Sequence, residues 1–177
     1  MHALILGAAG MIGRRLVDAL VADGTVGGAP LTALTLLDVV PPTAPAGFSG
    51  PVKAEAADLT APGAADAAIA ERPGVIFHLA AVVSGEAEAN LELGYRVNLD
   101  ATRALLDAIR QMAGMGMGLA LLPELYVRQE IREGDDVVVR KIKGSRYYRD
   151  IGLLWRQGAG RAPAYGVIAD LLRAVSA

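Results

Sequence analysis

Residues 3–13 read Ala3-Leu-Ile-Leu-Gly7-Ala-Ala-Gly10-Met-Ile-Gly13, a short apolar strand that runs into three spaced glycines and then into a helix. The pattern predicts a phosphate cradle. Gly7 allows the tight turn off the strand, Gly10 lets the backbone approach a pyrophosphate, and Gly13 lets the helix pack closely on the sheet. Met11 and Ile12 complete the first helical turn, whose unpaired amides would face an anion. A chain with 21 glycines contains spaced triplets by chance, so context decides. Here the triplet follows the first strand, and Leu34-Thr-Leu-Leu-Asp38 supplies a second strand that ends in an acid.

Composition narrows the class. At 177 residues the chain supports one ordinary core and an appendage. It has no cysteine, which excludes a disulfide framework and thiolate chemistry and suits a reducing compartment. No apolar run approaches the roughly 20 residues that span a bilayer, and Met1-His2 leads directly into a strand without a basic leader. These features predict a soluble cytoplasmic protein with no membrane partner. A net charge of −2 speaks against a nucleic-acid partner. Residues 1–110 carry seven Lys or Arg against twelve Asp or Glu, while 111–177 carry ten against seven. Five of the eight aromatic residues also fall after 111, and Gln111-Met-Ala-Gly-Met-Gly-Met-Gly118 lies between the halves. Two parts of different origin, or local variation around one fold, both fit this shift.

Strands are predicted at about 2–6, 32–38, 51–55 and 74–79, and helices at about 11–22, 63–71 and 88–110. Such alternation implies a parallel sheet with crossover helices. The strands lack apolar and polar alternation, as expected when helices cover both faces. Further strands are expected at 119–122, 136–142 and 151–156, with a closing helix over 161–175 whose apolar stripe is Tyr165, Ile168, Leu171, Leu172 and Val175. The fold class is therefore α/β: a Rossmann-like, doubly wound parallel sheet of about five strands, two further C-terminal strands and a closing helix. Residues 1–110 form the nucleotide-binding half, and residues 111–177 complete the sheet.

Other positions fit a dinucleotide. Asp38 would accept hydrogen bonds from an adenosine ribose and repel a 2′-phosphate, favouring NAD over NADP; a turn cap is its other reading. Asp58-Leu59 ends the third strand, where a carboxylate and an amide would meet an adenine edge, or where Asp58 closes an Asx-turn before Thr60. His78-Leu79-Ala80-Ala81 ends the fourth strand with small residues where a cofactor would cross the sheet. His78 itself reads as a packed strand-end residue, and neither histidine has a partner at metal-ligand spacing.

These motifs, with the run Val97-Asn98-Leu-Asp-Ala-Thr-Arg103, resemble in order and spacing the N-terminal part of extended short-chain dehydrogenases/reductases of the NAD-dependent epimerase/dehydratase group. The run His78 to Asn90 resembles the sugar-acid dehydrogenases among them. The resemblance implies NAD as cofactor, Asn98 among its contacts, and oxidation of a small sugar acid or nucleotide sugar with Ser84 and Glu88 near the nicotinamide end. Taken as structure alone, residues 84–90 would cap the long helix. The resemblance also implies a homodimer through helix 88–110.

The chemistry of that family needs a tyrosine base, a lysine four residues later and a substrate-holding serine, and this sequence departs from the pattern. Tyr95, Tyr126, Tyr147, Tyr148 and Tyr165 are followed four positions on by Leu99, Glu130, Ile151, Gly152 and Ala169. A tyrosine without a nearby cation is a poor base at neutral pH. Tyr147 and Tyr148, beside Arg146 and Arg149, are the improvised candidates, so the catalytic residues stay unknown. Residues 114–124, 136–143 and 148–156 resemble the end of the effector-binding domain of LysR-type transcriptional regulators, and they carry no helix-turn-helix. The alternative implied is a ligand-binding or structural chimera.

Overall fold

The computed structural model describes residues 1–117, 119, 120, 122, 124–140, 144, 158 and 160–176. Residues 1–139 form one compact unit and 140–177 another. In the first unit, β1 (His2–Leu6) is central, and β4 (Ala33–Asp38), β5 (Val52–Ala56) and β6 (Val75–His78) complete a sheet of order β5-β4-β1-β6. All three pairings are parallel, with Ile5 beside Leu36 and Phe77. Parallel neighbours require crossovers. The helix α1 (Met11–Asp23) links β1 toward β4, and α2 (Ala64–Ile69) links β5 to β6.

The apolar run of β1 serves two cores. Ala3 and Ile5 join Val17 and Leu20 of α1, whereas Leu4 and Leu6 join Ala65, Ala68 and Ile69 of α2 with Leu105 and Ala108 of a later helix. Leu4, Ile5 and Leu6 are fully buried, and each such side chain is worth about 1.5–3 kcal/mol. At the outer strand β5, Lys53 lies 3.1 Å from Glu71 and 3.6 Å from Glu55. Charges of this kind blunt a sheet edge.

The α/β class and the parallel sheet are as the sequence pattern predicts, and local differences have identifiable causes. A small hairpin, β2 (Thr25–Val26) with β3 (Ala29–Pro30), fills the connection after α1. Gly27 and Gly28, with φ of +56° and +81°, supply the left-handed pair its two-residue turn needs. The single helix predicted over 88–110 is broken into α3 (Ser84–Ala89), α4 (Leu91–Tyr95), a π-helical turn (Arg96–Asp100) and α5 (Ala101–Gly114). Asn90 makes the first break: it leaves helical dihedrals and its side chain accepts from the Leu93 amide at 3.0 Å. At the far end, Gly116 (φ +72°) donates to Ala113 O and Met117 to Met112 O, a Schellman closure.

The strand expected at 119–122 is not formed at 119, 120 or 122, and residues 136–140 of the expected strand 136–142 are irregular. Polar contacts with α5 draw the intervening chain elsewhere. In α6 (Glu124–Glu130), the Tyr126 hydroxyl donates to Asp107, and Arg103 meets Glu130 at 2.8 Å. Arg110 reaches Asp135 at 3.4 Å. Among the described residues the sheet thus has four strands. The strand expected at 151–156 and the candidates Tyr147 and Tyr148 lie outside the described residues.

Burial and the Asp107 carboxylate push the Tyr126 hydroxyl up to about 12, against the opposing pull of Arg110. The folded value lies above the ordinary 10, so the stabilisation is complete below about pH 10 and is lost as pH rises through about 12. In an alkaline ultraviolet titration Tyr126 should ionise late, and Tyr126→Phe should remove that late component. A normal titration of Tyr126 would contradict its pairing with Asp107.

In the second unit, α7 (Ala162–Ser176) agrees with the helix predicted at 161–175, with Pro163 in its first turn. Ile168, Leu171 and Leu172 of its predicted stripe are exposed.

Candidate dinucleotide site

The chain leaves β1 at the point where the sheet order divides, with β4 and β5 on one side and β6 on the other. Crevices at such switch points, outside the carboxyl ends of the strands, receive ligands in open α/β sheets. The loop after β1 is anchored there: the amides of Gly7 and Ala8 both donate to Leu37 O at 2.8 and 3.2 Å, and Gly10 donates to Gly7 O.

The three glycines are needed for different reasons. A Cβ on Gly7 would lie 2.6 Å from Ala80 N and 2.7 Å from Leu79 C, and its φ of +87° is left-handed as well. On Gly13 it would lie 2.1 Å from Gly7 O. Backbone cannot yield at such distances. At Gly10 the demand is milder but real, since a Cβ there would meet Gly7 O at 3.3 Å. Gly10 is exposed and stands as N-cap of α1, whose first turn carries no acid. Met11 and Ile12 follow it, 72% and 59% exposed. The result is an exposed helix N-terminus with no carboxylate in its own first turn, an environment suited to a phosphate.

Asp38 sits at the end of β4, half-buried, and its Oδ2 accepts from the Ala9 amide at 2.9 Å while its carbonyl accepts from Ala57 at 2.7 Å. It therefore braces the glycine turn, the capping role the sequence left open for it. Asp58 Oδ1 accepts from both the Thr60 amide, at 2.9 Å, and the Thr60 hydroxyl, at 2.7 Å. That is the Asx-turn. The two Thr60 donors, with a smaller pull from Arg96, hold the Asp58 carboxyl below its ordinary range. Leu59 packs on the second core cluster and lines a cavity of about 380 Å³ with Thr60, Arg96, Ala104 and Gln111.

Leu79 extends β6 by donating to Leu6 O at 2.8 Å, and the Leu79–Ala80 peptide lies against Gly7. Ala81 follows, exposed. Asn98, in the π-helical turn, takes the Val82 amide on its Oδ1 at 2.8 Å and gives its Nδ2 to Val82 O at 2.9 Å. His78 Nε2 is 2.9 Å from the Thr102 hydroxyl, and burial lowers the pKa of the ring. Ser84 begins α3, and Glu88 is exposed on the same helix. The turn residues, Asp38 and 79–80 are thus brought together, Asn98 is tied to the flank of that group, and Asp58-Leu59 lies beyond the end of β5. Thr102 and Val82 were not singled out by sequence reasoning; the four-residue step from Asn98 to Thr102, one helical turn, was the available signal. Among the described residues, no group of His, Asp or Glu has the proximity to hold a metal ion.

Comparison with known proteins gives the same picture. Residues 3–120 match the NAD dependent epimerase/dehydratase family, and residues 69–177 match the LysR substrate binding domain, so 69–120 fall under both. D-erythronate dehydrogenase from Cupriavidus necator is 47% identical over 117 residues, which are 63% of this chain and 35% of that protein. D-erythronate dehydrogenase from Haemophilus influenzae is 39% identical over 111 residues, 63% of this chain and 34% of that one. A solved nucleoside-diphosphate-sugar epimerase from Agrobacterium tumefaciens superposes with a TM-score of 0.65 at 59% identity, covering 66% of this chain and 34% of its own. UDP-glucose 4-epimerase from Thermus thermophilus, in complex with NAD, gives a TM-score of 0.50 at 29% identity and covers 64% and 35%. The chain spans about a third of the length of these relatives. Within the shared stretch 69–120, β6 pairs with β1 and α5 covers the sheet, as in a dinucleotide-type fold. The glycine turn at the switch point and these matches together mean that the chain belongs to the NAD dependent epimerase/dehydratase family over residues 3–120 and to the LysR substrate binding domain family over residues 69–177.

Proposed function

We propose that residues 1–110 form an NAD(H)-binding module of the sugar-acid dehydrogenase and epimerase lineage, with little or no turnover of its own. The observation that carries this reading is Gly10. Gly10 is exposed and caps α1, so its backbone is open to a ligand approaching from outside, where a Cβ would stand in the way and press on Gly7 O at 3.3 Å. A pyrophosphate lying against Gly10 on the amides of Met11, Ile12 and Gly13 fits it. The adenosine would lie on the β4 and β5 side, with Asp38 toward the ribose and Asp58-Leu59 toward the base. The nicotinamide would cross β1 toward Leu79, Ala80 and Ala81, and a small sugar acid would meet Ser84 and Glu88. A cytoplasmic location belongs to the same reading, and a homodimer would use the exposed Leu91, Tyr95 and Leu99 along 88–110.

Titration with NADH, followed by nicotinamide fluorescence, tests the module directly. NAD(H) should bind more tightly than NADP(H), because a 2′-phosphate would enter beside the Asp38 carboxylate. Asp38→Ala should narrow that preference; equal affinity of the unmodified protein for both cofactors would defeat the assignment of Asp38. The LysR substrate binding domain match favours a second reading, a non-catalytic ligand-binding chimera. Absence of any NADH signal would select it.

A further inference from the structure

Two ends of one short segment are pinned to a single helical stretch. At one end His78 meets Thr102, and at the other Val82 is gripped on both backbone groups by Asn98. The two pins are four residues apart, and Thr102 closes the link by donating its hydroxyl to Asn98 O at 3.0 Å. The orientation of the Asn98 amide follows from its partners, because Val82 N can only donate and Val82 O can only accept. The same reasoning fixes His78. Thr102 has one hydroxyl proton and spends it on Asn98, so His78 Nε2 carries a proton and donates to Thr102, leaving Nδ1 bare. Among the described residues Nδ1 is buried without a partner, which a neutral lone pair tolerates better than an N–H would.

Between the pins lie Leu79, Ala80 and Ala81, and the Leu79–Ala80 peptide rests on Gly7. A Cβ-sized displacement of this peptide would close or open the β6 side of the crevice. We propose that Asn98, Thr102 and His78 are positioning residues, a relay that holds the 79–82 segment at the height the nicotinamide half of the cofactor requires. This rests on the NAD(H) reading above. It adds a role to direct contact: the Asn98 side chain spends one acceptor site and one N–H on Val82, and through that grip it sets the height of the backbone.

The test compares NADH with ADP on the intact chain. ADP samples the glycine turn and the β4 side, whereas NADH also crosses to the β6 side. Thr102→Val, which removes the hydroxyl and keeps the shape, and Asn98→Ala should each weaken NADH about tenfold while leaving ADP binding unchanged. Thr102→Ser should restore NADH affinity. Nitrogen-15 spectra of the unmodified protein should give His78 as the Nε2–H tautomer, lost in Thr102→Val and kept in Thr102→Ser. An unchanged ratio of NADH to ADP affinity in both variants, or a parallel loss of both ligands, would overturn the relay while sparing the cofactor module. Failure of the unmodified protein to bind either ligand would overturn the module and the relay together.

Discussion

No NADH should accumulate when the protein is incubated with NAD and D-erythronate or related sugar acids. Oxidation of a hydroxyl needs a group that takes its proton as hydride leaves, and the sequence offers no tyrosine with a lysine four residues later. Of the described tyrosines in the first unit, Tyr95 is exposed and Tyr126 is pushed up to about 12, far from a neutral-pH base. Loss of a positioned base alone costs about 10²–10⁴ in rate, and the orientation of substrate by an enclosing pocket is worth further orders of magnitude. The expected result is turnover at the background of the assay, with NADH binding intact. Robust NADH production that Tyr147→Phe or Tyr148→Phe abolishes would refute this and assign the base to the arginine-flanked pair.

Gly13→Ala and Gly10→Ala should separate folding from binding. The new Cβ at 13 would sit 2.1 Å from Gly7 O and 2.8 Å from Ala8 Cα, both backbone, in a turn already held by Leu37 and Asp38. Relief requires α1 to move off the sheet, which would loosen Val17 and Leu20 from the first core cluster. A cost of about 3 kcal/mol, or about 10 °C in unfolding midpoint, is expected together with loss of NADH binding. At position 10 the nearest contact is Gly7 O at 3.3 Å, which calls for a backbone shift of a few tenths of an ångström only, so Gly10→Ala should cost less stability than Gly13→Ala and still lose NADH. Gly85→Ala is the control: it lies in α3 with no atom of the described residues within 4 Å of its Cβ, and it should match or slightly exceed the parent in stability. A Gly13→Ala protein that melts like the Gly85→Ala control would show that the turn is not tightly packed.

Much of this was legible because the signals are local. The run Ala3 to Gly13 predicts β1, the turn and the start of α1, and unalternating strands predict burial on both faces, which Leu4, Ile5 and Leu6 satisfy by pointing in turn to α2 and α1. Asp38 was legible as alternatives only, because its partner is the amide of Ala9, twenty-nine residues away, whereas the Asp58 turn onto Thr60 is a two-residue signal that the sequence offers directly. The break at Asn90 was missed because helix-forming neighbours on both sides outweigh one residue in a periodicity count, although Asn is a good N-cap. The strand expected at 119–122 has the right composition, but composition does not reveal that Tyr126, Glu130 and Asp135 would find partners on α5. The Asn98 grip on Val82 spans sixteen residues and follows from no local pattern.

The sheet also has two unlike margins. Along β5, Lys53 with its two glutamates gives the outer rim a charge that a second molecule would have to strip of water before pairing with it. Along β6, which among the described residues pairs only with β1, the rim reads Val75-Ile76-Phe77, half-buried and without a charged side chain. Among the described residues the two rims are thus unlike: a strand added at β5 would meet paired charges, and one added at β6 would meet an apolar margin without them.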